Sequence, residues 1–218
     1  MKSIVALFFA LACFSPAAYT GDFLDIDDVP DFVVKPITPS IVRQLRKGGY
    51  VLYMRHANSD TTRPDQLPNV DLNDCSTQRP LTEEGRLIAK KIGQRIRKAG
   101  IPLGEIYSSP MCRARETAIS AYGPNIIVNS LLMYTSNMTD KEKAPVLEAT
   151  RELIARPVQG NVNRVVVAHA QNLMDIMGYL PKPEGVVVIF KPSGDKHFKY
   201  IASVTPEQWK NVPKPQAE

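Results

Sequence analysis

The sequence predicts a three-layer α/β/α sandwich whose sheet is mostly parallel with an antiparallel edge. Two apolar runs, "YVLYM" at residues 50–54 and "RVVVA" at 164–168, read as strands buried on both faces, as in parallel sheets. Segments of helical period separate the strands, so each parallel step has its crossover. The tail, "EGVVVIFKPSGDKHFKYIASV", reads as two strands joined by a turn at 192–196, and it supplies the antiparallel edge.

In chain order, residues 1–20 carry one early lysine, an apolar stretch over 4–14 and small residues at Ala17 and Ala18. That is the pattern of a secretory signal, too short to span a bilayer comfortably. It predicts export to the periplasm or medium, cleavage between Ala17 and Gly21, and no membrane insertion afterwards. The alternative is a lipoprotein site at Cys13, although Ala10 stands where such sites usually carry leucine. An acidic, proline-punctuated lead occupies 21–39, one domain covers 40–210, and 211–218 form a tail.

Within the domain, "PSIVRQLRKGG" is a short helix closed by Gly48 and Gly49, followed at once by the first strand. The 25 residues from 57 to 81 have neither helical nor strand period, and loops that long are usually functional. In "LTEEGRLIAKKIGQRIRKAG", Thr82 caps a helix, Glu83 and Glu84 favour its positive end, and Ile88, Ile92, Ile96 and Ala99 mark one face. Next come a strand in "EIYSS", a helix in "PMCRARETAISAYG" opened by Pro110, and a short strand in "NIIVN". A helix over 143–155 is expected to start near Pro145 or to kink there. The strand "NRVVVA" then ends on His169.

With 44% hydrophobic and 22% charged residues the chain can bury a core. Its net charge of +5 is spread along the sequence, which argues against a nucleic-acid-binding arm and for a mild preference for anions. Removal of the signal leaves Cys75 and Cys112, either a disulfide formed in an oxidising compartment or two unrelated thiols. Nothing in the sequence calls for a cofactor or sets an oligomeric state.

Ligands of open α/β sheets bind at the carboxyl ends of strands. Three features sit there: Arg55 with His56, "SSPMCR" with Arg113, and His169. Singly, each has a bland structural explanation. Together, two arginines, two imidazoles and a helix start at Ser109 and Pro110 make a pocket for a phosphoryl dianion. An imidazole nitrogen there can attack phosphorus, while the cations stabilise the equatorial oxygens.

The stretches "LYMRHA", "LTEEGR", "SSPMCRARETA" and "VVVAHAQN" resemble, in order and spacing, the histidine phosphatase superfamily, branch 1, with its phosphoglycerate-mutase-like fold. The resemblance covers roughly residues 48–209, and "DLNDCSTQRPLTEEGR" and "PEGVVVIFKPSG" look like an exported bacterial type. It implies that His56 is the phosphorylated nucleophile, that Arg55 and Arg113 hold phosphate, and that His169 is the second histidine of the phosphate pocket. It implies nothing for Arg115. Ala57 and Ala168 replace the glycines of the usual "RHG" and "GH", a small change.

The larger departure is the general acid. Many members carry a glutamate shortly after the third strand, whereas this chain has "SLLMYTSN", with Met133 or Tyr134 near that place. Asp60, Asp74 and Glu184 are the candidates. Asx-turns would account for the aspartates and a solvent turn for Glu184, which comes first because it precedes a strand beside the site. Cys112 as a nucleophile lacks the surrounding loop of a cysteine phosphatase.

The expected function is therefore an exported, metal-independent phosphatase acting on small phosphomonoesters or phosphoramidates, and export points toward envelope sugar phosphates or scavenged phosphate esters. The rivals are a phosphate-binding protein without turnover, a mutase, and metal-assisted hydrolysis by His56, His169 and loop aspartates. The last conflicts with arginines that would repel a cation.

Overall fold

A computed structural model of the chain describes residues 32–215. The predicted signal, its cleavage site and Cys13 lie outside the described residues, as do most of the lead and the end of the tail. Among the described residues no helix is long and apolar enough to cross a membrane.

The element order is α1 (Pro39–Arg46), β1 (Val51–Arg55), α2 (Glu83–Lys98), β2 (Leu103–Ser108), α3 (Cys112–Tyr122), β3 (Ile127–Val128), α4 (Asp140–Ala155), β4 (Asn163–Ala168), α5 (Ala170–Met177), β5 (Val187–Gly194) and β6 (His197–Val204). The six-stranded sheet runs β3-β2-β4-β1-β5-β6. The pairs β2/β3, β2/β4 and β1/β4 are parallel, and β5 and β6 add the antiparallel edge. This is the mixed, mostly parallel sheet that the apolar strand pattern predicts.

Alternation of side chains along the central strands divides the core in two. Leu52, Met54, Val165, Val167, Val187 and Ile189 pack with Leu45 of α1, Ile92 and Ile96 of α2 and Ala114 and Ala118 of α3. Val51, Tyr53, Val166, Val188 and Phe190 face the other way, against Leu153 and Ile154 of α4 and Leu173 of α5. Each fully buried aliphatic or aromatic side chain contributes about 1.5–3 kcal/mol. The strands that lead to Arg55, His56 and His169 are thus anchored on both faces.

The helix starts are fixed locally. Thr38 and Thr82 cap α1 and α2 through side-chain bonds to the amides of Ile41 (3.3 Å) and Gly85 (2.9 Å). A β-carbon on Gly85 would lie 2.2 Å from the carbonyl oxygen of Asn58, and one on Gly93 1.8 Å from that of Ala121. Only glycine permits these approaches. The first holds the start of the long loop against α2, and the second lets α2 cross close to α3.

Two expectations are corrected. Helix α4 begins at Asp140, before Pro145, because Thr139 and Glu142 form a reciprocal capping box that offsets the amide Pro145 lacks. The terminal strands extend through Pro192, and the turn narrows to Asp195 and Lys196, both at positive φ (47° and 64°). Such a two-residue turn matches the twist of the strands it joins.

Candidate active site

Strands β1 and β4 are parallel neighbours with Arg55 opposite Ala168, so the next residues, His56 and His169, leave the sheet side by side. Their rings meet nearly edge to face, with centroids 5.5 Å apart. Both are buried, at 2% and 0% exposure. The His56 amide donates to the Ala168 carbonyl (2.9 Å) and its own carbonyl accepts from Gly185 (3.0 Å), which ties His56 to the end of β4 and to the segment leading into β5.

The His56 Nδ1 lies 2.9 Å from the carbonyl oxygen of Ala57. A carbonyl can only accept, so Nδ1 carries the proton and Nε2 keeps its lone pair. Burial, and then the charge of Arg113, push the His56 pKa well below its usual value. The ring is neutral and nucleophilic at Nε2. Burial and Arg113 act in the same direction on His169. There Nε2 pairs with Ser109 Oγ (2.9 Å), whose hydroxyl oxygen also accepts from the Met111 amide (3.2 Å). Tyr53 donates its phenol proton to the His169 carbonyl (2.8 Å) and fixes the backbone.

Arg113 is fully buried on the first turn of α3, and its Nη1 donates to Asp65 of the long loop, at 2.9 Å to Oδ1 and 3.3 Å to Oδ2. Burial works against the charge on Arg113 and the Asp65 carboxylate works for it. Arg55 donates from Nη1 to the Pro181 carbonyl (2.9 Å) and from Nη2 to Glu184 Oε1 (3.2 Å). A third arginine, Arg79, reaches within 4.0 Å of the same Glu184 oxygen. Its charge also bears on Arg55, Arg113, His56 and His169. Tyr134 walls the pocket, with its ring 5.4 Å from the His169 ring and 5.3 Å from Arg113 Cζ.

Five buried nitrogens on these residues have no partner in the protein: Nε of Arg55, Arg79 and Arg113, Nη2 of Arg113, and Nδ1 of His169. Buried donors are rarely left unpaired. Here they share one pocket of net positive charge, the arrangement an incoming oxyanion would satisfy.

The sequence-predicted residues Arg55, His56, Arg113, His169 and Glu184 are brought together. Glu184 takes a supporting place: besides Arg55 it accepts from the Ser59 amide (2.8 Å) and the Ser59 hydroxyl (2.9 Å), and Oε1 stands 3.8 Å from His56 Nδ1. It holds Arg55 and the loop start rather than offering a free acid. Asp60 and Asp74 stay in the outer loop, where their carboxylates cap the turns at Thr62 and Ser76. The anticipated helix-start amides are also partly spent, since Met111 and Cys112 donate to Ser109 Oγ and Gln78 Oε1.

Sequence reasoning missed Asp65, Gln78 and Arg79. Asp65 and Arg79 lie in the aperiodic loop, and the signal available was only an excess of polar residues facing a charged pocket. Cys75 and Cys112 are bonded, with Cα atoms 5.7 Å apart, tying that loop to the residue beside Arg113. Among the described residues no group of three His, Cys, Asp or Glu side chains is placed to hold a metal ion.

The fold and the site define a protein of the phosphoglycerate-mutase-like class, with two strand-end histidines in an arginine-lined pocket. Comparison with known proteins agrees. A family model described as histidine phosphatase superfamily (branch 1) matches residues 51–132. A serine/threonine-protein phosphatase Pgam5, mitochondrial, from Drosophila virilis is 40% identical over 62 residues, which are 28% of this chain and 19% of that protein. A structure of the protein histidine phosphatase SixA complexed with tungstate superposes with a TM-score of 0.53 at 15% identity, covering 72% of this chain and 97% of that one. Phosphoserine phosphatase from Entamoeba histolytica, in complex with 3-phosphoglyceric acid, gives 0.51 at 12% identity over 73% and 98% of the two chains. The solved structures share the fold, and the stretch matched by the family model, residues 51–132, is the part of this chain similar to the histidine phosphatase superfamily (branch 1).

Proposed function

We propose that this chain is an exported phosphatase, independent of metal ions, that hydrolyses small phosphomonoesters or phosphoramidates through a phosphohistidine on His56. The observation that carries the reading is the set of unpaired buried donors gathered around a neutral His56 whose Nε2 is free. The phosphoryl oxygens take the nitrogens of Arg113, Arg55, Arg79 and His169, and Nε2 attacks phosphorus in line with the leaving group. Water then attacks the phosphohistidine, and the electron pair of the P–N bond returns to Nε2. Arginines packed around both imidazoles repel a cation, which favours chemistry without a metal. Export is supported by the signal-like leader and by the Cys75–Cys112 bond, which persists in oxidising compartments.

The test is phosphate release from p-nitrophenyl phosphate by wild type and His56→Ala, with and without chelator. Release that needs His56 and survives chelation is the expected result, and equal rates for the two proteins would exclude the mechanism. Vanadate binding without any release would instead assign phosphate binding without turnover.

A further inference from the structure

We infer that Asp65 supplies the proton to the leaving group, which brings alkyl phosphomonoesters within the substrate class. The inference rests on the phosphatase reading above. An alkoxide leaves poorly unless it is protonated as the P–O bond breaks, and a positioned acid contributes about a hundredfold to ten-thousandfold. The position after β3 holds Met133 and Tyr134, so the proton has to come from elsewhere.

Of the loop carboxylates, Asp60 and Asp74 are committed to turns. Glu184 accepts from three donors, the Ser59 amide, the Ser59 hydroxyl and Arg55. Asp65 differs from all of these. Its side chain is 11% exposed and lies on the phosphate-binding guanidinium itself. Oδ1 accepts from Arg113 Nη1 at 2.9 Å and from the Arg79 amide at 2.8 Å, while Oδ2 has only the 3.3 Å contact to Nη1 and keeps room for a proton.

Arg113 is thereby divided. One nitrogen holds Asp65, while Nε and Nη2 are buried without partners and face the anion. A phosphoryl dianion on that free edge stands beside the carboxyl group, and a proton between the carboxyl group and the ester's bridging oxygen removes the repulsion of like charges. In the first step His56 Nε2 forms the P–N bond and the P–O bond breaks. Its electron pair goes to the leaving oxygen, which takes the Asp65 proton and departs as the alcohol. In the second step water gives a proton to the Asp65 carboxylate as its oxygen bonds to phosphorus, and the P–N bond breaks with its electron pair returning to His56 Nε2, which releases phosphate and restores the enzyme.

The experiment is a leaving-group series of p-nitrophenyl, phenyl and n-butyl phosphate, measured as kcat/KM for wild type and Asp65→Asn, with vanadate affinity taken in parallel. Wild-type rates should vary little along the series. Asp65→Asn should bind vanadate at least as well, and its kcat/KM should fall far more on n-butyl phosphate, by about a hundredfold or more, than on p-nitrophenyl phosphate, whose phenolate leaves without a proton. A steep fall along the wild-type series would overturn the inference without reference to any variant. So would an equal loss on all esters, which would mark a residue that only positions Arg113, or a gain on all of them, which would mark a carboxylate competing with phosphate. If wild type fails on p-nitrophenyl phosphate, or His56→Ala matches it, the phosphatase reading itself has failed, a result distinct from any of these.

Discussion

The His56 and His169 rings stand 62° apart with centroids 5.5 Å from each other, one with a free Nε2 and the other with a free Nδ1. Two imidazoles so close to Arg113 gain nothing by both becoming charged, and the proposed mechanism divides their work: His56 attacks and His169 holds an oxygen. A quench during turnover should therefore trap an acid-labile, alkali-stable phosphoryl group on His56 and not on His169. His56→Ala should abolish the label. His169→Ala should still form it, at a rate lower by about a hundredfold to a thousandfold, the usual cost of one oxyanion donor. Label that persists in His56→Ala would reverse the assignment.

The same burial makes stability depend on pH. Both imidazoles are held well below their ordinary value of 6.5 in the folded chain, by burial first and Arg113 second. The unfolded chain takes up protons near pH 6.5 and the folded chain does not, so this stability is present above that pH and is lost as pH falls below it. Between pH 7.5 and 5.5 each histidine accounts for about 1.3 kcal/mol of lost stability. Urea unfolding at the two pH values should show that His169→Ala loses less than wild type by about that amount. An identical loss would mean that His169 is protonated in the native state.

That four side chains would gather at the strand ends was legible because strand ends are legible: continuous apolar runs stop on Arg55 with His56 and just before His169, and Arg113 follows the serines at the end of β2. The sandwich followed from the same runs and the helical periods between them. Asp65 and Arg79 were not legible, since a loop held by turn hydrogen bonds and one disulfide has no period linking spacing to position. The start of α4 was misplaced for a related reason, because Pro145 is read locally while the capping box that outweighs it spans Thr139 and Glu142.

Arg113 should not tolerate lysine. Its guanidinium gives Nη1 to Asp65 and leaves Nε and Nη2 without partners, available to the proposed anion, whereas an ammonium is a point charge without a planar fork. Arg113→Lys should keep the fold, because a buried cation still faces Asp65. It should lower kcat/KM for p-nitrophenyl phosphate by about a hundredfold to a thousandfold and weaken vanadate inhibition in parallel. Activity within a few-fold of wild type would show that the fork is not used.

The Cys75–Cys112 bond separates what the sheet fixes from what the loop fixes. It spans 37 residues in sequence, and closing such a loop in the unfolded chain is worth about 3–4 kcal/mol. For a domain of this size, Cys75→Ala/Cys112→Ala should melt about 10 °C below wild type. Cys75 lies at the surface while Cys112 is buried, so a reductant has access from the Cys75 side and should produce the same loss in wild type. His56 and His169 hang from β1 and β4, which the bond does not touch, so phosphohistidine formation from p-nitrophenyl phosphate should survive in the double variant. Asp65 and Arg79 ride on the loop that the bond restrains, so KM should rise and hydrolysis of alkyl phosphates should fall further than that of aryl phosphates. A double variant that melts lower but keeps wild-type KM and leaving-group dependence would place the loop's hold on the pocket in its own hydrogen bonds, such as Gln78 to the Cys112 amide at 2.8 Å.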